Sequence, residues 1–154
     1  MGAELGATTS VFPSDEVTKK FLKAQSREND WAALEADSDA SYERELKINL
    51  DELEPLAACP HMPDKIRPIR ELEGMKVAQV AIGSCTNSSF VDIARVAMIL
   101  KGKTIHENLS LGISPGSRQV LRMIADTGYL ADLVGAGARI LEAACGHGIG
   151  QGFA

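Results

Sequence analysis

The apolar residues of the later part of the chain switch repeatedly between two periods. Val77, Val80 and Ile82 supply the β-branched content of a short buried strand. Gly83-Ser84 interrupts it, and Ser88–Leu100 resumes at helical spacing with Phe90, Ile93, Ala94, Ala97 and Leu100. Leu109–Ile113 is again short and apolar, Ser114-Pro115-Gly116-Ser117 breaks it, and Arg118–Ala125 runs on with Val120, Leu121 and Ile124 on one face. A further apolar helix, Leu130–Val134, closes on Gly135 and Gly137. A last strand at Ala138–Glu142 empties into Ala143–Gly150. Strand and helix alternating at this length predict an α/β fold with a parallel sheet and right-handed crossovers. The loops Ser84–Asn87, Ser114–Arg118 and Cys145–Gly150 then leave one carboxyl edge, where open α/β sheets bind ligands. Cys85 and Cys145 are expected to be neighbours there.

Earlier in the chain the pattern is weaker. Met1–Pro13 is a small-residue segment without a period and reads as the tail of a preceding domain, which leaves residues 14–154 as one α/β domain. Ser14 can cap a helix whose first turn holds Asp15 and Glu16 and whose face, Val17, Phe21 and Ala24, runs to about Gln25. Trp31–Leu34 reads as a short second helix, and Glu45–Leu50, alternating polar with apolar, as a half-exposed strand. Pro55–Pro68 holds four of the six prolines and predicts an extended connector. Cys59 and His61 flank Pro60 within it, and the pair reads either as metal ligands or as a linker with a buried thiol.

At 154 residues the chain can bury a real core, and with 5% aromatic residues that core is aliphatic. The net charge of −5 is uneven: residues 1–54 carry thirteen acids against six bases, and residues 55–154 eight against ten. Neither half offers the basic footprint of a nucleic-acid binder. No stretch is apolar enough to span a bilayer, the N-terminus is not built as a signal peptide, and a cytoplasmic, reducing setting is expected. Three widely spaced cysteines suit metal or catalytic use better than a disulfide framework. Cys85, Thr86 and Asn87 fall at the mouth of a helix, where free N–H groups favour a thiolate or an anion. Arg118, beside Ser117 at another helix start, reads either as a carboxylate or phosphate ligand or as a solvated surface arginine.

The segments GSCTN at Gly83–Asn87, PGSRQV at Pro115–Val120 and ACGHGIG at Ala144–Gly150 together resemble the aconitase family of iron–sulfur hydro-lyases. With GAELGATTSVFP at Gly2–Pro13 the resemblance covers nearly the whole chain and looks most like bacterial aconitate hydratases. It implies a three-layer α/β/α domain with a mainly parallel sheet, of the aconitase iron–sulfur type. It also implies a [4Fe–4S] cluster held by three cysteines, with one iron left open as a Lewis acid. Carried over, Cys85 and Cys145 match two cluster ligands, Asn87 would sit beside the cluster, and Glu4 matches an active-site glutamate. Where the family has its third cysteine, in a CGPC segment, this chain has Gly148; His147 and Cys59 are the candidate replacements. The function so implied is a share in interconverting citrate and isocitrate through cis-aconitate. Isopropylmalate and homoaconitate hydro-lyases also carry GSCTN and are the alternative substrate classes. The other catalytic groups of such enzymes lie in segments outside this stretch, so the chain is expected to need partner domains and a tricarboxylic acid substrate, and to be inactive alone. A reading of another class is a cluster-free module that binds a small anion or a partner protein through Ser84–Asn87 and Ser114–Arg118. An uncovered sheet edge would favour a homodimer.

Overall fold

A computed structural model describes residues 6–84 and 86–150, with the backbone alone at His147. The chain divides into two compact units, Met1–Glu54 and Pro55–Ala154. Among the described residues no helix is long and apolar enough to cross a membrane.

Among the described residues of the first unit the one α-helix is α1, Glu16–Ala24. Its cap is Asp15 and not Ser14: the Asp15 carboxylate accepts from the amides of Val17 at 2.9 Å and Thr18 at 3.1 Å. These bonds, the one from Thr18 foremost, hold the Asp15 carboxyl below its usual pKa. Ser14 is committed elsewhere, since its amide donates to the Leu34 carbonyl at 2.8 Å and its carbonyl accepts from the Leu34 amide at 3.2 Å. That isolated antiparallel bridge also overrides the helix expected at Trp31–Leu34; a single 3-10 turn forms earlier instead, at Glu28–Asp30. Trp31 lies under the Lys19 ammonium, 4.7 Å from the ring centre. The strand expected at Glu45–Leu50 is absent as well. Leu46 and Ile48 are 72% and 66% exposed, and alternation without a neighbouring strand to complete its hydrogen bonds does not make a sheet.

The second unit opens with the proline-rich segment, which is extended as expected and folded back on itself. Strands β1, Leu56–Ala58, and β2, Ile66–Pro68, pair antiparallel with Ala57 opposite Arg67. Beyond it the alternation of the sequence is realised as β3 Gln79–Gly83, α2 Phe90–Leu100, β4 Ser110–Ser114, α3 Arg118–Asp126, α4 Tyr129–Gly135 and β5 Arg139–Ile140. The three strands are parallel in the order β3-β4-β5, with Ile82 beside Ile113 and Ile113 beside Ile140. The fold class is therefore α/β with a parallel sheet. Parallel register puts Val80, Ile82, Leu111, Ile113 and Ile140 on one face. There they pack with Ile93 and Ala97 of α2, Ile124 of α3 and Leu133 of α4. Ile93, Ile113, Ile124 and Leu133 are fully buried, which makes the core aliphatic as the composition implied.

Candidate functional site at the carboxyl edge

Because β3, β4 and β5 run parallel, the segments that follow Gly83, Ser114 and Ile140 all emerge at one edge. The first two are locked together by Ser88, which is 1% exposed. Its hydroxyl donates to the Ser114 carbonyl, and its own carbonyl accepts from the Gly116 amide at 3.1 Å. Gly83 makes this approach possible. It sits at φ +103°, and a Cβ there would collide with the Ser114 carbonyl oxygen and the Ser88 hydroxyl. The neighbouring Ser89 does different work, capping α2 in a capping box: its hydroxyl accepts from the Asp92 amide at 3.3 Å while Asp92 accepts from the Ser89 amide at 3.1 Å. Asp92 also accepts from the Ser89 hydroxyl at 2.7 Å, and these bonds, the hydroxyl's first, lower its carboxyl pKa.

Ser117 caps α3 by accepting from the Val120 amide at 3.1 Å, and this places Arg118 as the first helical residue. Arg118 is exposed and finds no hydrogen-bond or ion-pair partner among the described residues. It lines a cavity of about 360 Å³ with Pro115, Ser117 and Leu121 on the β4–α3 side and Leu141, Glu142 and Ala143 beyond β5. The second and third loops thus share one concavity. One cation and one carboxylate stand among its mostly apolar walls.

Past the cavity the chain folds into a 3-10 turn at Gly146–Ile149. The Cys145 carbonyl accepts from the amides of Gly148 at 2.7 Å and Ile149 at 3.2 Å, and Cys145 itself is exposed. Asn87 is exposed in the first loop, and the Thr86 amide reaches the Ser84 hydroxyl at 3.5 Å. Glu4 and Cys85 lie outside the described residues, so the expected approach of Cys85 to Cys145 does too. Cys59 is half-buried in the β1–β2 hairpin, its amide donating to the Lys65 carbonyl at 2.9 Å. Among the described residues no three His, Cys, Asp or Glu side chains gather as a metal site.

The donor set does not fit a cluster held by three cysteines. The cysteine loop after β5 offers one thiol, Cys145, and carries glycine at position 148. Sequence reasoning singled out Arg118, which lines the cavity, and Cys145, which opens the last turn, but missed Ser88 as the clamp between loops. The signal was the Ser88-Ser89 doublet: one serine caps the helix, and the other is free to turn inward.

The profile described as "Aconitase family (aconitate hydratase)" matches residues 1–153. The chain belongs to the aconitase family. Among its curated relatives, a 3-isopropylmalate dehydratase large subunit 2 from Archaeoglobus fulgidus is 41% identical over 99% of this chain and 37% of its own length. A protein of the same name from Rubrobacter xylanophilus is 39% identical over 95% of this chain and 34% of its own length. A 3-isopropylmalate dehydratase large subunit 1 from Thermotoga maritima is 38% identical over 97% and 36%. The chain spans about a third of the length of these relatives. Their names carry the isopropylmalate alternative and not the aconitate hydratase likeness expected from the motifs.

Proposed function

We propose that this chain is the sheet domain of a hydro-lyase of the 3-isopropylmalate class, and that its carboxyl edge takes up a branched hydroxy-dicarboxylate. The observation that carries this reading is the cavity around Arg118. A guanidinium without a partner among the described residues matches one carboxylate bidentately. Leu121, Leu141, Ala143 and Pro115 suit a branched alkyl arm. Citrate would bring a third carboxylate in place of that arm, against apolar wall and Glu142, at the cost of desolvation and like-charge repulsion. The names of the relatives point the same way.

In this reading the chain's own residues bind and orient. Arg118 holds a carboxylate, Ser88 and Gly83 keep the first two loops at a fixed separation, and the apolar wall excludes water from the substrate's alkyl side. The groups that move protons are supplied by other domains of a longer subunit, with Glu4 as this chain's contribution, while Asn87 is a binding residue of the first loop. The exposed Cys145 suits a reducing cytoplasm. Calorimetric titration of the full native protein tests the reading: 3-isopropylmalate binds at least about tenfold more tightly than citrate, and Arg118→Ala removes that binding without moving Tm. Equal affinities, or an Arg118→Ala variant that binds normally, would overturn it. The second reading, a cluster-free anion-binding module, draws on the glycine at position 148 and predicts tight binding of simple inorganic anions at the same arginine.

A further inference from the structure

We infer that this chain does not assemble the three-thiolate cluster of its family, and that the defect is one side chain at Gly148 and not the shape of the loop. The inference rests on family membership and is independent of which hydroxy acid is bound: it leaves the proposed binding of the hydroxy acid in place and takes away the Lewis acid that dehydration in this family needs. Position 148 makes no conformational demand for glycine. Its φ lies outside the left-handed range, unlike that of Gly150 at +83°, so an L side chain is accommodated without strain. A Cβ built there meets nothing within 4 Å among the described residues. The bond its backbone amide makes in the turn, to the Cys145 carbonyl at 2.7 Å, is available to any residue except proline. The fold thus keeps a vacant place, three residues along the turn from Cys145, where a thiol would stand in the open.

Among the described residues, which include neither Cys85 nor the His147 side chain, no three His, Cys, Asp or Glu side chains gather, and Cys59 is half-buried in the β1–β2 hairpin. Cys85 and Cys145 together could ligate only two of the cluster's irons, leaving the other two to solvent. Losing one arm of the chelate removes much of the free energy that retains the metal.

The test is anaerobic reconstitution of the full native protein and of Gly148→Cys with ferrous iron and sulfide, followed by desalting, visible spectra and iron counts. Gly148→Ala is the same-site control, expected to melt at or slightly above the native temperature because nothing in the turn requires glycine. Gly148→Cys is expected to retain about four irons per chain with the broad visible absorption of a [4Fe–4S] cluster, and the native protein and Gly148→Ala at least about tenfold less. Full loading of the native protein would overturn the inference, because another residue would then supply the ligand. Failure of a Gly148→Cys variant that melts like Gly148→Ala would overturn it as well, because the loop itself would then be unfit. None of these readouts depends on substrate binding. A failed titration with 3-isopropylmalate would leave the iron result intact, and the reverse holds equally.

Discussion

Replacing Gly83 by alanine examines how the first two loops are held. The residue ends β3 at φ +103°, and its missing side chain leaves room for the Ser114 carbonyl and the Ser88 hydroxyl. Forcing alanine into a left-handed conformation costs roughly 1–2 kcal/mol. Displacing the obstructing carbonyl forfeits the buried Ser88 to Ser114 hydrogen bond, about 0.5–1.5 kcal/mol more, plus backbone distortion. The sum is about 2–4 kcal/mol. Gly102 provides the internal reference: it has φ +70°, but a Cβ there meets nothing within 4 Å, so Gly102→Ala carries only the conformational cost of roughly 1–2 kcal/mol. At about 4–8 °C per kcal/mol for a unit of this size, Gly83→Ala should lower Tm by roughly 8–30 °C, and by clearly more than Gly102→Ala. Scanning calorimetry of both variants measures the difference. Equal losses would refute the close packing of the two loops through Ser88.

Three further outcomes follow from the same contacts. Ser88→Ala removes one buried hydroxyl bond and should cost about 0.5–1.5 kcal/mol by urea denaturation, with a weaker affinity for 3-isopropylmalate as the loops loosen. Ile113→Ala, at the fully buried centre of the sheet, should cost about 2–5 kcal/mol in the same assay; less than 1 would place the core elsewhere. The Asp92 carboxyl is held below its ordinary pKa, so the stability it contributes is present above about pH 4 and is lost as pH falls through the lowered folded value. Melting curves across that acid range should therefore show a shallower pH dependence for Asp92→Asn than for the native protein.

The second unit was legible because each of its signals is local. β-branched triplets, glycine or proline breaks and helical spacing placed β3, α2, β4, α3, α4 and β5 within a residue or two, with β5 shorter than its apolar run. Parallel pairing then followed from connection length. The first unit was not legible for the opposite reason. Ser14 gives up its role as a cap for a backbone bridge to Leu34, twenty positions on, and no local pattern announces that partner. Leu46 and Ile48 alternate as a strand should, but alternation specifies a face and not the neighbour that must cover it. The place of Arg118 at a helix start beside Ser117 was visible in the sequence, and it is the first residue of α3. The Ser88 clamp depends on two loops meeting in space, and the cavity joining Arg118 to Leu141 and Glu142 depends on strand order.

Hydrogen exchange of the full native protein with and without 3-isopropylmalate tests most directly whether the carboxyl edge is the binding site. The account predicts slower exchange in residues 114–121 and 141–149, around the Arg118 cavity and the Cys145 turn, with the β1–β2 hairpin unchanged. Protection confined to other segments, or the same protection with citrate at equal concentration, would contradict it.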